Sequence, residues 1–129
     1  MPDLPFDELP FNRDRPLSDR VLVTGANGLL GQALVDRMAA SSDLDVLATA
    51  RDDAPRFAPS TCDYRPMDVT APDAVEAVMD DFAPDVVVNC AAVSDVAACE
   101  ENRNQAWAVN ARAVKRLAKH CAEQRARLV

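Results

Sequence analysis

Three glycines, Gly25, Gly28 and Gly31, are the only glycines of the 129-residue chain, and their spacing could cradle a phosphate. They lie in Thr24-Gly25-Ala26-Asn27-Gly28-Leu29-Leu30-Gly31, directly after the apolar run Val21-Leu22-Val23. A strand that stops at a glycine turn and restarts as a helix aims backbone N–H groups at one point. That point sits at the positive end of the helix and suits a pyrophosphate. Gly25 permits the tight turn, Gly28 the approach of phosphate to backbone, and Gly31 close packing of helix on sheet. The expected ligand is a dinucleotide, held by Gly25, Asn27, Gly28, Leu29, Leu30 and Gly31. A plain strand-to-helix turn is the competing reading.

Further along, an acid that holds the ribose hydroxyls of NAD should end the second strand, near Ala50, and none stands there. Arg51 follows instead, and an arginine there can pair with a 2′-phosphate through two parallel hydrogen bonds. NADP is therefore favoured over NAD. The rival is a solvated Arg51, with Asp52 or Asp53 taking the ribose. Asp68 and Val69 close a third strand at the adenine end of the same crevice, although Asp68 could equally cap the helix after Thr70. Asn89-Cys90-Ala91-Ala92 ends a fourth strand in small residues, so that Ala91 and Ala92 would let a cofactor lie against the backbone.

The elements that must position these residues alternate. Leu29, Leu30, Ala33, Leu34, Arg37 and Met38 recur at helical spacing to about Ala40. Leu44 to Ala50 is of strand length, and Tyr64 to Val69 reads as a strand whose Pro66 suits an edge. Thr70 reads as an N-cap, with Pro72 in the first turn and Ala74, Val75, Val78, Met79 and Phe82 forming the apolar face. Asp85 opens the strand Val86 to Ala92. Val96 to about Gln124 is helical with a break near Glu101 to Arg103, and Trp107, Val114, Leu117 and Ala118 supply much of its buried face. Arg127-Leu128-Val129 reads as a fifth strand just beginning, which would leave the edge of the fourth exposed. Strands alternating with helices predict an α/β fold with a doubly wound, Rossmann-type parallel sheet, its glycine loop at the carboxyl edge.

Composition bounds the rest. Apolar residues make up 49% of the chain, and no apolar run approaches the ~20 residues of a membrane span. Residues 1–19, rich in proline and charge, read as a flexible leader, and 20–129 as one dinucleotide-binding domain. A net charge of −7 argues against a nucleic-acid surface. Cys62, Cys90, Cys99 and Cys121 form no Cys-x-x-Cys pair, and His120 is the only histidine. No metal site is expected, and reduced thiols fit a cytoplasmic protein.

With these residues in place, the chain resembles the amino-terminal part of an extended short-chain dehydrogenase/reductase, most closely the dTDP-4-dehydrorhamnose reductase group. The likeness is carried by Val21 through Gly31, by Asp68-Val69, by Pro84-Asp85-Val86-Val87-Val88-Asn89-Cys90-Ala91-Ala92, and by Ser94-Asp95-Val96 through Cys99-Glu100-Glu101-Asn102 to Val109-Asn110. It implies hydride transfer from NADPH or NADH to a 4-keto sugar on a nucleoside diphosphate, with Asn110 supporting the proton relay. Asn110 could equally serve to bend or fix its helix. Ala97 departs from the group, which more often has aspartate. The family's chemistry also needs Tyr-x-x-x-Lys after a Ser or Thr, whereas the only tyrosine here is Tyr64, with Asp68 four positions on. The expectation is a cofactor half without substrate domain or reaction half, inactive alone. Three origins stay open: part of an interrupted gene, a partner to a second chain that supplies the rest, or a regulatory module like the reductase-like subunit of methionine adenosyltransferase. A piece of an NAD-dependent sugar epimerase or dehydratase is a further alternative.

Overall fold

The computed structural model describes residues 19–92 and 96–129. Five strands, β1 (Asp19–Thr24), β2 (Leu44–Ala50), β3 (Asp63–Pro66), β4 (Val86–Asn89) and β5 (Arg127–Leu128), form one sheet in the order β3-β2-β1-β4-β5. Every pairing is parallel. The helices are α1 (Leu29–Ala39), α2 (Pro72–Phe82), α3 (Val96–Glu101), α4 (Arg103–Trp107) and α5 (Ala113–Gln124), with a π-helical segment, Ala108–Arg112, between α4 and α5.

Register explains why these strands read as apolar runs. Leu22 stands between Leu47 and Val87, while Val21 stands between Val46 and Val86, and Val23 between Ala48 and Val88. Successive side chains leave opposite faces of a strand. Leu22, Leu47 and Val87 therefore join Val75, Val78 and Met79 of α2 and Leu117 and Cys121 of α5 in one core. Val21, Val23, Val46 and Ala48 join Val35 of α1 and Phe57 in another. A sheet sealed on both faces is the doubly wound architecture the alternation implies.

Several boundaries differ from those the sequence suggests. β1 opens at Asp19, so Asp19 belongs to the sheet and not to a leader, while residues 1–18 lie outside the described residues. β3 ends at Pro66, on the outer edge that proline favours, because the chain then turns: the Thr70 N–H and hydroxyl both donate to Asp68 Oδ1, at 2.9 and 2.7 Å. Thr70 is thus the donor in a turn, and the residue before α2 is Ala71, which makes no side-chain cap. β4 stops at Asn89, where the Cys90 N–H bonds the Thr24 carbonyl (3.1 Å) and the chain crosses the glycine loop.

The long helical stretch breaks at Asn102, whose side chain accepts from the Gln105 N–H (3.0 Å) and caps α4. Its buried stripe is Ala106, Val109, Ala113, Leu117 and Cys121. Trp107, at 63% exposure, and Ala118 point to solvent, and Val114 is half-buried. The π-helical turn changes the phase of the helix, which a uniform 3.6-residue period does not anticipate. The edge of β4 is also not open. Arg127 and Val129 N–H groups bond the Asp85 and Val87 carbonyls, and the Asn89 N–H bonds the Val129 carbonyl, at 2.8 to 2.9 Å.

Candidate functional site

β1 is flanked by β2, reached through α1 on one face of the sheet, and by β4, reached through α2 on the other. The connections leaving the carboxyl ends of β1 and β4 run to opposite faces, which makes this the switch point where α/β sheets bind ligands. Thr24, fully buried, donates its hydroxyl to Asn89 Oδ1 and ties the two strand ends together. The Thr49 hydroxyl donates to the Val23 carbonyl, and the Ala26 N–H to the Thr49 carbonyl, both at 2.9 Å, which fixes the glycine loop over β2.

The three glycines are not equivalent. Gly25 has φ 62°, and a Cβ there would stand 2.5 Å from the Ala91 nitrogen. A Cβ on Gly31 would stand 2.8 Å from Ala26 Cα, so only glycine lets α1 start this close to the loop. At Gly28, with φ −74°, a Cβ would meet nothing nearer than the Gly25 carbonyl oxygen at 3.4 Å. The space beyond Gly28 is open. The first intrahelical bond of α1 runs from the Gln32 N–H to the Gly28 carbonyl (2.9 Å), so the N–H groups of Leu29, Leu30 and Gly31 precede it. No side chain caps this end and no acid lies in its first turn. The side chains of Leu29 and Leu30 are exposed.

Beside this loop is a cavity of about 190 Å³. Gly25, Arg51, Asp68, Val69, Ala91 and Ala92, all expected from the sequence, line it. Ala50, Met67 and Val109 complete the wall. Met67 and Val109 escaped sequence reasoning, although Val109 adjoins Asn110. The Arg116 guanidinium donates to the Val69 carbonyl (3.2 Å), so α5 braces the loop that carries Asp68 and Val69. Burial alone would raise the Asp68 carboxyl, but the two hydrogen bonds from Thr70, helped by the Arg51 charge, outweigh it and hold the group below the usual carboxylate range.

Asn27, Gly28, Leu29, Leu30 and Gly31 stand outside the cavity wall, around the start of α1. The Asn27 side chain is committed to the protein. Its Nδ2 donates to Asp52 Oδ2 (2.9 Å) and the Ala54 carbonyl (3.1 Å), and its Oδ1 accepts from the Arg56 N–H (2.8 Å). Asn110 is exposed at the centre of the π-helical segment, next to Val109. Tyr64 is no proton donor to this cavity: its hydroxyl lies against the Ala50 and Asp52 carbonyls, at 3.2 and 2.5 Å, and its ring packs edge-on against Phe57. Burial first, and the Asp52 charge second, push the phenol above its ordinary value.

Among the described residues no three His, Cys, Asp or Glu side chains gather as a metal site, and no helix is long and apolar enough to cross a membrane. Burial pushes the Cys62, Cys90 and Cys121 thiols up, away from reactive thiolate character. A second concavity, between α2 and α5, is lined by Glu76 and Glu123 and by the basic residues Arg112, Lys115, Arg116 and Lys119.

Comparison with known proteins agrees with this geometry. A family model described as the RmlD substrate binding domain matches residues 19–129. A probable low-salt glycan biosynthesis reductase, Agl14, of Haloferax volcanii is 38% identical over 99 residues, which are 77% of this chain and 32% of that protein. The dTDP-4-dehydrorhamnose reductase of Mycobacterium tuberculosis is 38% identical over 112 residues, 87% of this chain and 32% of its own length. A Bacillus anthracis dTDP-4-dehydrorhamnose reductase solved in complex with NADP superposes with a TM-score of 0.61 at 26% identity, covering 86% of this chain and 34% of that one. The chain spans about a third of the length of the curated relatives it matches.

Proposed function

Because the chain belongs to the RmlD substrate binding domain family, we propose that it is the dinucleotide-binding portion of a nucleotide-sugar reductase acting on a 4-keto sugar. The observation that carries this is the convergence of Gly25, Arg51, Asp68, Val69, Ala91 and Ala92 on one cavity at the switch point, beside an uncapped helix start. When bound, the nicotinamide cofactor would supply the hydride. The N–H groups of Leu29, Leu30 and Gly31 would hold its pyrophosphate, with Gly28 leaving room for the approach. Arg51 would pair with a 2′-phosphate, which favours NADPH, and Asp68 and Val69 would meet the adenine. Asn110 would support the proton relay from its π-helical turn, since such turns recur at functional sites.

Calorimetric titration of the chain with NADPH and NADH tests this reading. Binding of NADPH, lost on Gly28→Val, supports it. Absence of heat with both dinucleotides would remove it. Arg51→Ala should weaken NADPH by roughly tenfold, the value of a charge-assisted hydrogen bond, and leave NADH nearly unchanged. We further propose that the chain binds without turning over, because Tyr64 is committed to backbone carbonyls and no Tyr-x-x-x-Lys stands in these 129 residues. NADPH oxidation by the isolated chain with a 4-keto sugar nucleotide would contradict that. Recovery of activity with a second chain bearing that motif would identify a partner.

A further inference from the structure

Asp52 is the first carboxylate after β2, close to where an acid holds the adenosine ribose of NAD in nucleotide-binding sheets. Here one of its carboxylate oxygens is already engaged. Oδ2 accepts from Asn27 Nδ2 at 2.9 Å and lies 3.5 Å from Arg56 Nε. Asn27 is 7% exposed and is held from both ends, through the Ala54 carbonyl (3.1 Å) and the Arg56 N–H (2.8 Å). A buried carboxamide whose donors and acceptor are all used is a rigid support, since each bond it loses leaves a desolvated polar atom. The Asp52 carbonyl is held as well, by the Tyr64 hydroxyl. Arg51, one residue earlier, lines the cavity, and Asp52 does not.

We propose that Asn27 is a specificity-determining positioning residue: it holds Asp52 against Arg56, keeps that carboxylate from the ribose hydroxyls, and leaves Arg51 uncontested for a 2′-phosphate. The proposal rests on the dinucleotide reading above. Its two consequences act in one direction. An Asp52 turned toward Asn27 and Arg56 is held away from the 2′-hydroxyl of NADH, and an Asp52 charge paired with Arg56 repels the 2′-phosphate of NADPH less and competes less for Arg51.

The test titrates the full chain and its variants with NADPH and with NADH, each variant first checked for a cooperative thermal melt. Asn27→Ala should lower the ratio of NADPH to NADH affinity by roughly threefold or more, the scale of a partly exposed charge interaction. Adding Asp52→Ala to Asn27→Ala should return the ratio toward that of the unchanged chain, which a merely structural role for Asn27 would not produce. An unchanged ratio in folded Asn27→Ala, with both dinucleotides still bound, overturns the proposal and leaves the dinucleotide reading standing. If Asn27→Ala does not fold, Asp52→Ala alone decides. An unchanged NADH affinity supports the proposal, and a loss of roughly threefold or more shows the acid already on the ribose and overturns it. An unchanged chain that binds neither dinucleotide overturns the reading and the proposal together.

Discussion

At the residue scale, the glycines separate a demand of the fold from a demand of the ligand. Gly25→Ala should destabilise the chain by about 1–2 kcal/mol from its left-handed backbone alone, with more from the 2.5 Å approach to the Ala91 nitrogen. Gly28→Ala meets no such contact and should stay within about 1 kcal/mol. Denaturant melts of the two variants check this contrast. Asp68 supplies a pH test. Its folded pKa is lowered, so its contribution is complete above the ordinary aspartate value of about 3.9 and is lost as pH falls through and below it. The gap in melting temperature between the unchanged chain and Asp68→Ala should therefore narrow from pH 7 to pH 3. Six cavity residues were legible from local rules, because a glycine spacing, a basic residue after a strand, an acid at the close of the third strand and small residues at a strand end each state a physical need. The Asn27 contact with Asp52 was not, since it joins positions 25 apart and neither residue alone signals the other.

At the element scale, the strands were legible where alternating apolar side chains had both faces to fill, as in Leu44–Ala50, whose bounds match the sequence reading. Ends set by tertiary contacts were less so: β4 ends at Asn89 while the apolar run continues to Ala92, because the chain there crosses the glycine loop with Ala91 against Gly25, an approach no hydropathy pattern records. The helical stretch after Asn102 shows the same limit, since its period is set by an embedded π turn. Leu117 is fully buried in the core shared with α2, so Leu117→Ala should cost about 2–5 kcal/mol. Trp107→Ala, on an exposed side chain, should cost about 0.5 kcal/mol or less. Chemical unfolding of both variants would distinguish the observed stripe from the one a regular helix would give.

For the whole molecule, β1 is the hub. It pairs on both sides, its side chains feed both cores, and its end carries the glycine loop. Amides of Val21, Leu22 and Val23 should show the slowest hydrogen exchange, while those of β3 and β5, at the sheet margins, should exchange sooner. Faster exchange in β1 than in β3 would contradict this hierarchy. The π-helical segment has a consequence on the same scale. Each residue turns an α-helix by about 100°, and the π turn already holds one residue more than an α turn, so inserting another between 108 and 112 would swing Leu117 and Cys121 of α5 away from the sheet and bring charged neighbours inward. Point substitutions on its exposed side leave that phasing untouched, whereas an added residue does not. Descendants of this chain can thus vary the spelling of that turn far more freely than its tally of residues.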